Sequence, residues 1–427
     1  MKKLYLYLYL YLSLFLRLSY FIVSKSLIII ALLIIQKSFA VDGSFKSYFS
    51  SLKNPNENSA DGLVTNTFRS KFTWTANEYY SFYAAYVLSA NVQKNQITHS
   101  ENTQKRDYRA YDLKTDLYPS NSSDASNMTL AQNLDRLFIN YSFLGSNNIS
   151  LGRQPVAFGS SKMVNPTDVL VPFTYQELDK EERIGVDAIR ANISISALSM
   201  LDAGHVFGDN LNFSKSSTFL RWKLNLFETD ISTMFMKFKK NLLIGMDLAR
   251  NIGDASGWLE AAYVLPKYFD DFSNSGSDNG SDNDSDNDSD KNYFRGTLGM
   301  DYKLTPLIYS YLEYHYNSAG TLDTEKYISL ALKTAYREGG VSLKGVHYLI
   351  PGITYEITPI WKLTGQFLYN IVDSSILNNT FLEHSFAQDV FIDLGTYLPF
   401  GKKFQLTQKS EFGDSPKIFY SSIRLYF

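Results

Sequence analysis

The chain has 427 residues, with 41 Lys plus Arg against 43 Asp plus Glu, no cysteine, and 15% aromatic residues. Lack of cysteine excludes a disulfide framework and a thiol catalyst. The near-neutral balance gives no reason to expect a nucleic-acid partner, and past residue 40 no apolar run approaches the length of a spanning helix.

Residues 1–40 differ from the rest. Lys25 precedes the apolar run Leu27–Ile35, and Ser38-Phe39-Ala40 stands ahead of Val41. A basic flank, a short apolar core and a small-x-small site predict a secretory signal peptide cleaved after Ala40, the alternative being an uncleaved anchor helix. The Leu-Tyr repeat of Leu4–Leu12 serves no signal function, which suggests initiation nearer Val23. Cleavage removes five basic residues (Lys2, Lys3, Arg17, Lys25, Lys37) and no acidic ones, leaving 36 against 43. The expected organisation is residues 1–40 as signal and 41–427 as a single domain.

Strand-like alternation begins at Val64–Ala76, with Val64, Phe68, Phe72 and Trp74 on one face and Thr65, Thr67, Arg69, Lys71 and Thr73 on the other. Glu78–Val92 is an aromatic-rich strand, and residues 93–131 read as a long surface loop. Leu134–Leu144 sets Leu137, Ile139, Tyr141 and Phe143 against Arg136, Asn140 and Ser142. A short turn at Gly145–Asn148 leads into Ile149–Phe158. Ser217–Phe227 opposes Leu220, Trp222, Leu224 and Leu226 to Arg221, Lys223 and Asn225. Thr229–Lys240, Leu242–Arg250 and Ala255–Phe269 come next, then a second long loop at 270–292. Residues 293–304 place Arg295, Thr297, Asp301 and Lys303 inward, and Leu307–Tyr316 does the same for Tyr309, Tyr311, Glu313 and His315. Trp361–Val372, Ala387–Leu398 and Phe404–Glu411 carry the pattern on, while 327–358 gives no countable strands.

The last stretch, Lys417–Phe427, alternates strictly: Phe419, Ser421, Ile423, Leu425 and Phe427 against Tyr420, Ser422, Arg424 and Tyr426. An uncovered terminal strand would be a liability in a soluble sandwich. If it pairs with the first strand, a barrel closes. The stretch resembles the closing strand of outer-membrane β-barrels, and that resemblance implies recognition by the barrel-assembly machinery through Phe427, Leu425 and Ile423. Aromatic content, alternation and a secretory signal predict an all-β, closed antiparallel transmembrane barrel of about 16 strands, with 14 to 18 admissible, in the bacterial outer membrane.

An Arg or Lys facing lipid at mid-depth costs roughly 2–4 kcal/mol. The basic residues stand opposite Leu, Phe and Trp, so the polar face is expected to line a wet lumen. It then receives Arg69, Lys71, Arg136, Arg190, Arg221, Lys223, Arg295 and Lys303, with Lys362, Lys409 and Arg424, against mainly Asp301, Glu313 and Asp393. Such a wall favours anions, unless acidic loop residues fold in and neutralise it.

The densest stretch is Leu151–Arg190, with Gly152-Arg153-Gln154, Phe158-Gly159, Asn165-Pro166-Thr167-Asp168 and the cluster Asp179-Lys180-Glu181-Glu182-Arg183. This order, together with TPIWKLTGQFLYNIVDSS and LPFG late in the chain, resembles porin-like proteins related to alginate-export and phosphate-selective porins over about half the mature chain. The resemblance implies that 158–182 folds into the lumen or over its mouth as a constriction loop, with Arg153, Asn165, Asp168, Asp179, Glu181, Glu182 and Arg183 as its functional residues. Asn165-Pro166 favours a turn, and Asp168 is expected to accept from nearby backbone amides. Arg153 shares parity with Leu151, so a bulge at Gly152 re-aims it or it lies at the rim. Arg153 and Arg183 either act in permeation or pin the loop by pairing with Asp179, Glu181 or Glu182.

Asp278–Asp290 spaces carboxylates every second residue but has no closing Glu, and reads as a solvated loop tip rather than a calcium loop. The five His residues are scattered, with no partner for a catalytic barrel. The expected function is a passive outer-membrane porin for small anionic solutes, monomeric or homotrimeric, contacting outer-membrane lipid and needing no cofactor or metal. The alternative is a surface structural or adhesin barrel whose loops carry the function.

Overall fold

The computed structural model describes residues 41–55, 59–97, 107–119, 126–269, 291–405 and 407–427. Residues 1–40, the tract Asp278–Asp290 and parts of both long loops lie outside them. The chain divides into a unit Gly43–Tyr426, which holds the barrel wall, and a second comprising Met1–Asp42 and Phe427.

Nineteen strands are present: β1 (Val41–Lys53), β2 (Asp61–Thr75), β3 (Tyr80–Ile97), β4 (Asp116–Tyr118), β5 (Ser126–Phe143), β6 (Asn147–Gln154), β7 (Val186–Ser196), β8 (Ser199–Val206), β9 (Ser217–Leu226), β10 (Thr229–Phe238), β11 (Asn241–Ile252), β12 (Ala255–Leu265), β13 (Tyr293–Thr305), β14 (Ile308–Asn317), β15 (His347–Thr358), β16 (Trp361–Asn370), β17 (Ile376–Ala387), β18 (Val390–Phe400) and β19 (Lys417–Tyr426). Each pairs antiparallel with its neighbours except that β3 pairs directly with β5. The three-residue β4 lies against β5 beyond the end of β6. β19 pairs with β1 in an unbroken register from Ser44↔Tyr426 to Lys53↔Lys417. The result is a closed barrel of 18 strands plus one extra.

The count exceeds 16 for traceable reasons. β1 and the β7–β8 hairpin are weak, polar alternations. β17 lies in ILNNTFLEHSFA, where three consecutive polar residues hide the period and suggest a loop. The described residues of Phe404–Glu411, expected as a strand, form no strand and belong to an irregular stretch between β18 and β19. With β18 on β19 and β19 on β1, no free edge remains for it. Lys409, assigned to the lumen by alternation, therefore sits on this loop, 3.1 Å from Glu325.

One rim carries short turns, such as Phe227-Glu228 between β9 and β10, where both residues take positive φ (51° and 60°) as a tight hairpin requires. The other rim carries the long loops. By porin convention the short-turn rim is periplasmic. The expected alternation holds: on β13, Leu298 is 57% exposed while Thr297 is 0%. One expectation changes. In the long-loop half the inward face is apolar: Met234, Met236, Phe238, Leu243, Ala262 and Val264 are buried in one cluster with Phe158, Val169 and Leu170 of the inward loop and Ala335 and Val341 of the segment 318–346. A second cluster joins Tyr348, Ile350, Leu368 and Tyr397 to Phe412. There the loops fold in and exclude water, and inward polar groups of that half, such as Asn317 and Asn370, are buried with them.

Candidate functional site

The segment between Gln154 and Val186 leaves the wall and spans the inside of the barrel. Its first half docks on β11–β14. Glu260 of β12 is fully buried and accepts from Ser160 N and Ser161 N (both 3.2 Å), Thr167 N (2.8 Å) and Thr167 Oγ1 (2.7 Å). Glu313 of β14 accepts from Lys162 N (2.6 Å), Met163 N (3.1 Å) and Trp258 Nε1 (3.0 Å). Thr297 Oγ1 donates to Val164 O at 3.0 Å. A loop without secondary structure must satisfy its buried amides somewhere; here two wall carboxylates do so. Gly159 makes the approach possible: at φ +94° a Cβ would lie 2.6 Å from Glu260 Oε1.

The second half docks on β1, β2 and β19, nearly half the circumference away by strand order. Asp179 and Glu181 lie 2.9 and 2.7 Å from Lys46 Nζ of β1. Glu181 also meets Arg424 of β19 at 2.6 Å and accepts from the Tyr426 hydroxyl. Glu182 meets Lys71 at 2.6 Å, Arg69 at 3.6 Å and Arg136 at 3.7 Å. Burial alone would raise the Glu181 carboxyl, but hydrogen bonds from Lys46 and Tyr426 outweigh it and hold the group at about 2. Glu182 is also held below the usual range: burial opposes this, but Lys71 and Arg69 prevail.

Between these ends the loop is tied to itself. Arg183 lies 2.8 Å from Asp168, donates to Val171 O at 2.6 Å and stacks over Phe173 at 4.0 Å. Asp168 departs from the expectation that its carboxylate accepts backbone amides. Its own amide closes the turn onto Asn165 O (3.3 Å), and its carboxylate faces Arg183. Burial pushes that carboxyl up to about 7 against the lowering influence of Arg183. Arg183 is therefore paired within the loop, with Asp168 rather than with Asp179, Glu181 or Glu182. Arg153 also finds other partners. It keeps register with Leu137, without a bulge, and lies at the long-loop end of β6, 2.7 Å from Asp187 and 2.9 Å from Asp112. The rim placement is the one realised.

The basic residues assigned inward fall into two groups. Arg69 and Arg136 share Asp135 at 2.6 and 2.8 Å, and Arg190 and Arg221 share Asp202 at 2.8 and 3.0 Å. With Lys71, these five sit in ion pairs. Lys223, Arg295 and Lys303 have no ion pair among the described residues; Arg295 is buried near Gly339 O (3.5 Å), and Lys303 is exposed at the short-turn end. The inner wall carries more acid than Asp301, Glu313 and Asp393: Asp135, Asp202, Asp247, Glu260 and Glu383 belong to it as well. Glu260, Lys46 and Asp202 are all recoverable from parity once their strands are recognised.

Below the loop, toward the short-turn rim, lies a cavity of about 1190 Å³. Lys162, Lys180, Arg183, Arg221, Lys223 and Arg295 line it, with Asp168, Asp230 and Asp247 as the only acidic residues among the lining. Lys162 is held by Asp301 at 3.0 Å and lies over Trp258 (4.8 Å) and Tyr309 (5.4 Å). Burial lowers the affinity of Lys180 for its proton. Ser146, Ala197 and Leu198 of the short turns reach the same space.

No protein-family model and no curated protein matches the sequence. Solved structures do match the fold. Over 91% of this chain and 98% of theirs, OpdK of Pseudomonas aeruginosa bound to vanillate superposes with a TM-score of 0.52 at 8% identity, and a BenF-like porin from Pseudomonas fluorescens Pf-5 with 0.52 at 7%. OccAB4 of Acinetobacter baumannii gives 0.51 at 9% identity over 91% of this chain and 97% of its own. These matches do not single out the alginate-export or phosphate-selective group. Closed by β1 and β19 and crossed by an inward loop, the chain has the fold of the outer-membrane porins.

Proposed function

We propose that this barrel is a passive outer-membrane channel for small solutes, with a preference for anions, and that the segment Pro155–Gly185 is its constriction. The carrying observation is the lining of the 1190 Å³ cavity, with six basic residues against three acidic ones. Wall charges at close quarters set which ion a pore favours. Of the six, Lys162, Arg183 and Arg221 are held by Asp301, Asp168 and Asp202, so the preference rests chiefly on Lys180, Lys223 and Arg295, for which no ion pair occurs among the described residues.

A second reading has one observation in its favour. The apolar packing of the long-loop half is what a plugged structural or adhesin barrel would have. Conductance in planar bilayers separates the two. A channel gives stable ohmic steps whose reversal potential in a salt gradient favours chloride over potassium, and Lys223→Glu moves it toward cations. No steps at all would favour the plugged barrel; a wild type already selective for cations would sink the anion preference. Delivery to the membrane is proposed to use the Ile423, Leu425 and Phe427 pattern, so Phe427→Ser should lower the amount of heat-modifiable folded barrel.

A further inference from the structure

The outer wall carries a feature that permeation does not use. Over β11–β15 an apolar groove of about 580 Å³ opens on the outside, a size within the range of small-molecule sites. It exists because Gly257, at an outward position between Arg250 and Met300, has no side chain. A Cβ there would find nothing nearer than Ile252 Cδ1 at 3.4 Å. Leu248, Leu259, Leu298, Met300 and Leu312 form the flanks. Arg250, opposite Gly257, stands toward the short-turn end of the groove with Ile252 beyond it, on the outward parity with Ile244 and Met246, two residues before β11 ends. It has no ion pair or side-chain hydrogen bond among the described residues.

An outward arginine bordering an apolar groove can extend its head to the headgroup level while its stem stays on apolar surface. There it needs an anion with acceptors in the plane of its guanidinium, and a phosphate diester supplies them. The geometry points to a glycerophospholipid site: one acyl chain lies in the groove over Gly257, and the phosphate is held by Arg250. The apolar flanks suit the chain, the lone cation suits the phosphate, and the short-turn end places both in the periplasmic leaflet. The site rests on the barrel standing in a membrane with that rim inward.

Native mass spectrometry of the detergent-purified full barrel, titrated with phosphatidylglycerol, tests this. Wild type should retain one lipid after the bulk detergent is stripped. Arg250→Gln should weaken retention about tenfold, the scale of one charge-assisted hydrogen bond. Gly257→Leu, filling a position with room for it, should abolish retention while heat-modifiable folding stays intact. A fatty alcohol of equal chain length should be retained less well than the lipid by wild type and equally by wild type and Arg250→Gln. Equal lipid retention by all three proteins, or none by wild type, overturns the site. A barrel that conducts in bilayers yet retains no lipid overturns it while leaving the channel standing.

Discussion

The two ends of the inward loop are fastened by opposite chemistry. At β11–β14 the wall provides the carboxylates, Glu260 and Glu313, and the loop provides neutral backbone amides. At β1, β2 and β19 the loop provides the carboxylates, Asp179, Glu181 and Glu182, and the wall provides Lys46, Lys71 and Arg424. The first contact is mostly buried and pairs two carboxylates with several dipoles, with the one ion pair Lys162–Asp301 beside them; the second is partly hydrated and pairs charge with charge. Buried hydrogen bonds to a charge are costly to strand, whereas hydrated ion pairs weaken with salt and contribute less. The β11–β14 end should therefore be the permanent anchor, and the β1–β19 end the one that conditions can loosen.

The largest effect should come from removing the anchor. Glu260→Ala leaves the amides of Ser160, Ser161 and Thr167 without their acceptor, at about 1–3 kcal/mol for each group that water cannot reach. The folded barrel should lose its heat-resistant mobility at a lower temperature and show larger, noisier single-channel currents. Glu260→Gln, which keeps one acceptor oxygen, should do less. Unchanged stability and conductance in Glu260→Ala would mean the loop is held from elsewhere.

How much of this is legible in the sequence differs between the two ends. The loop itself, its NPTD turn and its acidic cluster stand out against the alternating strands, and Glu313 falls inward by parity. The partner Glu260 sits in a strand whose neighbours Trp258 and Ala262 share its inward face, so nothing marks its one charged position as a docking point for a segment a hundred residues earlier. Lys46 escapes notice because β1 is a weak alternation of Ser, Phe and Tyr. A lumen polar throughout is the natural expectation because period two reports that faces differ and not what covers them. Met236 and Phe238 look lipid-like or loop-covered equally well, and only the path of 155–185 and 318–346 decides. Arg136 and Arg221 show the same limit from the other side: inward parity is right, but Asp135 and Asp202 already hold them.

The second effect should be smaller and salt-dependent. Glu181→Gln removes the carboxylate that Lys46, Arg424 and Tyr426 share. Lys46 keeps Asp179 and Arg424 keeps Glu383 and Asp393, so the barrel should stay folded while this end of the loop loosens. Current noise should rise and selectivity should shift toward chloride, since one negative charge leaves the lumen. High salt should mimic the change in wild type far more than it mimics Glu260→Ala. Equal salt sensitivity of the two variants would erase the contrast between the ends.

The smallest effect is a pH dependence of opposite sign at two places on the loop. Glu181 is held at about 2, below its ordinary range, so its docking contribution is complete above about pH 4.5 and is lost as pH falls toward 2. Asp168 behaves the other way. Burial lifts it to about 7, so keeping it ionised works against the docked loop, and that penalty grows as pH rises from about 4 through 7. Acidifying from pH 8 to 5 should therefore quieten the channel, by protonating Asp168 beside Arg183, before stronger acid frees the Glu181 end and makes it noisy. Asp168→Asn should remove the first change and keep the second, and Glu181→Gln should do the reverse. A wild-type trace with a single transition, or an Asp168→Asn barrel that still quietens between pH 8 and 5, would mean that the two ends are not separately held.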